Sequence, residues 1–189
     1  MKPAIMVQVG IAVFIIAYPF IVYFGIKTLP PSFIGLVLGV LLAMRFGLLS
    51  AAERKMLVPV LLLFLGYAVA TVVLDSTLLL LYYPALVNFV LFVVFANSLR
   101  QDESLLLTVV RARGAAISEH TPRYLYRLTI VWAVFFVVNG LLSLWTSTLS
   151  MEAWTLYNGL ISYFIIAILG GGELLFRRHY KKRVGVGSQ

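Results

Sequence analysis

Apolar residues gather along this chain into six blocks, at residues 4–26, 32–49, 56–74, 77–99, 125–149 and 153–176, each nearly free of charge. A helix needs about 20 apolar residues to cross the hydrocarbon of a bilayer, so each block predicts a membrane span. The breaks have physical causes: Pro30-Pro31 cannot continue a helix, Glu53-Arg54-Lys55 is too polar for hydrocarbon, and Asp75-Ser76 marks a tight turn at a surface. The expected fold is all-α, a six-helix transmembrane bundle forming a single domain over residues 1–189. The first block follows Lys2, is longer than the roughly 7–15 residues of a signal-peptide core and precedes no small-residue cleavage site, which predicts a retained first span.

One sizeable loop separates the blocks, at residues 100–123. Inside it DESLLLTVVRARG has acids at its start, arginines at its end and Gly114 as a stop, which predicts a short helix. Leu105, Leu106, Val109 and Val110 share one side of that helix, as expected of an interfacial helix on the inner leaflet. Thr121-Pro122 supplies an N-cap and a first-turn proline for the fifth span. Two halves of three spans raise the question of an inverted repeat. Tyr18-Pro19 and Tyr83-Pro84 are the one tempting correspondence, but both fall in the outer half of their spans, where an inverted repeat would place them at opposite depths.

Composition agrees with the pattern. Hydrophobic residues make up 62% of the 189 and charged residues 12%, against about 45–50% and about 25% in soluble chains. The net charge of +8 would suggest nucleic acid in a soluble protein, but its distribution is topological. With both termini cytoplasmic, fourteen of the fifteen Lys and Arg residues fall inside and only Lys27 falls outside. The positive-inside rule therefore predicts N-in and C-in, with no nucleic acid partner. The tail RRHYKKR would lie against anionic headgroups. Cysteine is absent, which removes disulfides, thiolate catalysis and Cys-ligated metal.

Candidate chemistry is confined to polar groups within the spans, since lipid offers them no hydrogen-bond partner. Asn88 and Asn139 lie near mid-membrane, and Tyr83, Tyr157 and Asn158 in the outer half; Arg127 and Glu173 lie toward the inner face. If the fourth, fifth and sixth spans pack together, Tyr83, Asn88, Asn139, Tyr157 and Asn158 would meet, either as interhelical glue or as a lipid site. Arg127 and Glu173 would then read a headgroup or pair with each other. In WTLYNGLISYF, Trp154, Asn158 and Ser162 form one stripe at four-residue spacing, with Trp154 expected in the interfacial aromatic belt beside Trp145. Gly35, Gly39 and Ala43 make a small-residue packing face of the type on which membrane helices, or two copies in a homodimer, approach closely. His120 and His179 have neither zinc spacing nor a serine partner, and there is no phosphate loop, HExxH or nucleophile elbow. The reading is non-enzymatic, with no cofactor and no metal.

The segments AYPFIVYFG, YYPALVNFVLFVVFANSL, RYLYRLTIVWAVFFVVNG, WTLYNGLISY and GELLFRR resemble an uncharacterised family of bacterial inner-membrane proteins whose members often lie among genes for aryl-polyene or related fatty-acid-like lipid synthesis. More distantly, WAVFF and the tryptophan opening the sixth span resemble the intracellular septation protein family, which typically carries a lysine shortly after the asparagine of its last span, where this chain has Gly159. The resemblance implies a bacterial inner membrane and an envelope-lipid context, with membrane lipids and lipid-synthesis or envelope-assembly proteins as partners. It implies no catalytic residues. The functions it leaves open are lipid synthesis, handling or export; a small transporter or flippase; and a scaffold for envelope or division enzymes.

Overall fold

The computed structural model describes residues 13, 16–47, 51–112, 114, 117 and 121–183; the side chains of 45, 51–57 and 173–183 fall outside that description. Among the described residues the chain is wholly helical, without strands. The helices are α1 (Ile16–Gly25), α2 (Pro31–Gly47), α3 (Ala51–Leu74), α4 (Thr77–Ser98), α5 (Leu105–Ala112), α6 (Thr121–Ser147), α7 (Met151–Leu156) and α8 (Ser162–Arg183), with a π-helical turn, Tyr157–Ile161, joining the last two. Three stretches are long and apolar enough to cross a membrane: Thr77–Ser98, Thr121–Ser147 and Met151–Gly172. This is a helical membrane protein. The first three expected blocks are helical too, over the shorter described apolar stretches Ile16–Gly25, Pro31–Met44 and Val58–Leu74. Glu53-Arg54-Lys55 ends the third apolar block without breaking its helix, because α3 already begins at Ala51.

Local chemistry fixes the outer turns. Pro31 opens α2, where its missing N–H costs nothing, and the next N–H, of Ser32, donates to the Asp75 carboxylate at 2.7 Å. Asp75 holds a left-handed φ of 43° between α3 and α4, a conformation that aspartate tolerates better than most residues. The turn of one hairpin thereby caps the helix beside it. Ser150 caps α7 in the ordinary way, its Oγ accepting from the Ala153 N–H at 3.2 Å.

Two helix pairs carry most of the packing: α4 lies along α6, and α2 lies along α3. The small-residue face of α2 is used within the chain. A Cβ on Gly35 would stand 3.0 Å from Thr71, and one on Gly39 would stand 3.6 Å from Ala68. Ala43 lines an open apolar groove of about 300 Å³ between the same two helices.

The loop helix forms where the sequence predicts it. Leu107 and the preceding Ser104 are the buried residues, and Val109 is exposed. An anchor holds its start. The Leu105 N–H donates to Ser98 Oγ at 3.1 Å, which ties α5 to the end of α4 and turns Leu107 inward as the helix packs along α6. Glu103 and Arg111 close an exposed ion pair at 2.7 Å beside it.

Candidate functional site

The central feature is Pro84, inside α4. Proline has no N–H, so the carbonyl four residues earlier, Leu80, loses its helical donor. An unpartnered carbonyl in hydrocarbon costs several kcal/mol, and here a neighbouring helix supplies the donor. The Tyr18 hydroxyl of α1 donates to Leu80 O at 2.8 Å. The carbonyls on either side are engaged as well: Tyr67 of α3 donates to Leu79 O at 2.5 Å, and Trp154 Nε1 of α7 donates to Leu81 O at 2.9 Å. Three aromatic donors from three helices thus converge on three consecutive carbonyls of one disturbed turn.

This arrangement overturns the expectation for Trp154. Its side chain is fully buried in the core with Tyr18, Val22 and Leu80, and its indole serves α4 instead of the interface. Trp145 does face outward, at 60% exposure. Tyr83 is also displaced from the role the sequence suggested. It packs against Tyr18 in a tilted arrangement with ring centroids 4.7 Å apart and contacts Phe64 and Tyr67 at 5.9 and 6.3 Å, an aromatic cluster separate from the amides.

The amides do meet, in two groups. In the first, the Tyr157 hydroxyl donates to Asn139 Oδ1 at 2.8 Å, Asn139 Nδ2 donates to Asn88 Oδ1 at 2.9 Å, and Asn88 Nδ2 donates to the Pro84 carbonyl at 2.8 Å. All donors point the same way, so each bond polarises the next, and the chain ends on the proline around which the aromatic donors gather. Gly140 makes the close approach of α4 and α6 feasible, since a Cβ there would stand 3.2 Å from that of Asn88.

In the second group, Asn158 Oδ1 accepts from Ser143 Oγ at 2.8 Å, and Asn158 Nδ2 donates to the Trp154 carbonyl at 2.9 Å with a longer contact of 3.5 Å to Thr146 Oγ1. The π turn explains why neighbouring residues serve two networks. Its i→i+5 bond from Ser162 N–H to Tyr157 O inserts an extra residue in the helix, which brings Tyr157, Asn158 and Gly159 all to the buried side. Gly159 is where α1 comes closest: a Cβ would lie 2.9 Å from the Phe20 ring.

Asn88, Asn139, Tyr157 and Asn158 are therefore brought together in adjacent groups, all buried and all partnered. Arg127 is exposed at the opposite end of α6, and the Glu173 side chain lies outside the described residues. Ser143 and Thr146 are the functional partners that sequence reasoning missed. Their signal was the run Thr129, Ala133, Phe136, Asn139, Ser143, Thr146 at three- and four-residue spacing, which is the buried face of α6. Among the described residues no group of three His, Cys, Asp or Glu side chains could hold a metal ion. Comparison with protein-family models, with curated proteins and with solved structures finds no match.

Proposed function

We propose that the chain is a six-span protein of the bacterial inner membrane, both termini cytoplasmic, that serves the synthesis, handling or export of an envelope lipid without chemistry of its own. The observation that carries this reading is the partnering of the intramembrane amides. Asn88, Asn139 and Asn158 spend their polar atoms on one another, on serine and threonine hydroxyls and on backbone carbonyls, so they act as frame. A transport path through α4, α6 and α8 would have to break those bonds in each cycle. What remains available for function is the apolar exterior, and its natural ligand class is lipid. The inner-membrane and envelope context rests on the sequence resemblance, and the topology on the fourteen-to-one distribution of basic residues.

Native mass spectrometry with lipid identification tests the reading on protein extracted gently from its own membrane. Wild type is expected to carry a selective envelope lipid, and Asn139→Ala/Asn158→Ala to carry it in proportion to its folded fraction. A stable double variant that loses the lipid would move the ligand onto the asparagines, and no selective lipid on wild type would overturn the function. Topology has its own check, because the chain has no cysteine. Thr28→Cys should react with an impermeant maleimide from the side opposite to Asp102→Cys.

A further inference from the structure

The first two turns of α6 break two rules of helix electrostatics at once. Arg123 and Arg127 stand four residues apart on one face, where like charges repel, and they stand at a helix N-terminal end, where cations oppose the macrodipole. Both are exposed, and among the described residues neither has an acidic partner, whereas Arg111 nearby is paired with Glu103. Cytoplasmic placement of positive charge does not require this register.

The same face continues as an uninterrupted apolar stripe. Val131, Val134, Val138 and then Trp145 follow Arg127 at steps that keep them on one side of the helix, at 47%, 57%, 49% and 60% exposure. From Arg127 to Val138 the helix rises about 17 Å, close to the one leaflet that makes up half of the roughly 30 Å of a bilayer's hydrocarbon. A paired guanidinium head therefore leads directly onto a chain-length apolar track. A nucleic acid or an acidic peptide would satisfy the head and leave the track empty; an anionic amphiphile satisfies both.

We propose that this face of α6 seats an anionic phospholipid, its phosphate held by Arg123 and Arg127 and an acyl chain lying along Val131, Val134 and Val138. The inference rests on the topology proposed above, which puts the start of α6 at the cytoplasmic leaflet. Planar guanidiniums suit the site because each can offer two parallel N–H donors to phosphate oxygens.

The test uses the full-length protein in detergent micelles, with dioleoylphosphatidylglycerol and dioleoylphosphatidylcholine added as competing ligands and bound lipid read by native mass spectrometry. Wild type is expected to retain phosphatidylglycerol preferentially. In Arg123→Gln/Arg127→Gln the preference should fall roughly thirtyfold, from about one headgroup interaction per arginine, while Arg111→Gln keeps it. Circular dichroism checks that the double variant remains helical; if it does not, the single Arg127→Gln carries the test, with roughly a fivefold fall. Equal affinity of wild type for the two lipids, or an equal loss in Arg111→Gln, would overturn the seat. Displacement of the lipid by inorganic phosphate alone would overturn the acyl track. Failure here is distinguishable from failure of the envelope-lipid function, which is read from the lipid that co-purifies with wild type and not from added phospholipid.

Discussion

The α4–α6 interface and the α2–α3 interface both join helices in a medium where apolar burial drives nothing, and they do so by opposite means. Between α4 and α6 the contact is made by Asn139 donating to Asn88, extended to the π turn by Tyr157 and by the Ser143–Asn158 bond. Between α2 and α3 the contact is made by absence of side chain: Gly35 and Gly39 let the backbone approach Thr71 and Ala68, and the Thr71 hydroxyl turns back to its own helix, donating to Tyr67 O at 2.9 Å. Polar contact is directional and fixes register, whereas small-residue contact relies on van der Waals fit. The difference teaches where rigidity resides. The asparagine-bonded half can hold one geometry, and the glycine-faced hairpin leaves a groove open beside it.

Breaking the polar half should have the largest effect. Asn139→Leu strands the Tyr157 hydroxyl and the Asn88 carbonyl oxygen, both buried, and each orphaned group costs about 1–3 kcal/mol. Unfolding in mixed micelles should show a loss of about 2–4 kcal/mol; a loss as small as that of a lipid-facing substitution such as Val134→Leu would deny the chain its structural role.

The proline turn allows a sharper test, because its donor and its defect can be removed separately. Tyr18→Phe alone should cost about 1–3 kcal/mol, since Leu80 O then has no donor. In a Pro84→Ala background residue 84 regains its N–H, Leu80 O is satisfied within α4, and the same Tyr18→Phe change should cost close to nothing. A double-mutant cycle without coupling would mean that Tyr18 stabilises the fold by ring packing on Tyr83 alone.

The glycine half is probed by its own contrast. Gly35→Ala places a methyl 3.0 Å from Thr71 and Gly39→Ala places one 3.6 Å from Ala68. The first requires the Thr71 side chain to give way, at about 1 kcal/mol, and the second meets only ordinary contact, so its gain in helix propensity should leave it neutral or slightly stabilising. Equal effects at the two positions would mean that the pair is not held by close approach.

How much of this could be read from the chain depends on the range of the interaction. The helical fold class was legible because apolar blocks bounded by prolines and charges are local facts. That Asn88 and Asn139 would meet followed from their shared mid-membrane depth once the fourth and fifth spans pack together, since side chains at similar height in packed spans have few other partners. Tyr83 shares the outer half with Tyr157 but lies elsewhere, because rotation about the helix axis, which depth does not specify, turns it to Tyr18. Trp154 misled for a different reason. A tryptophan at a span end suits the interface, and only the helix arrangement, which sets its indole against the Leu81 carbonyl more than seventy positions earlier, draws it inside.

The smallest expected effect lies at the join between the two halves, where Asp75 does two jobs. Its carboxylate accepts the Ser32 N–H and so caps α2, and its backbone takes the left-handed turn between α3 and α4. Asparagine can do both, as its side-chain oxygen accepts the same bond and it tolerates the same φ, so Asp75→Asn should change stability by only a few tenths of a kcal/mol. Glycine keeps the turn and loses the cap, and alanine loses both. The expected order of stability is therefore Asp75→Asn, then Asp75→Gly, then Asp75→Ala, with the last costing about 1–2 kcal/mol. Were Gly to match Asn, the cap across the hairpins would be idle and the turn alone would matter. Were Ala to match Gly, the left-handed backbone would carry no strain, and what joins the glycine-faced hairpin to the rest at this corner would be the single bond from Ser32.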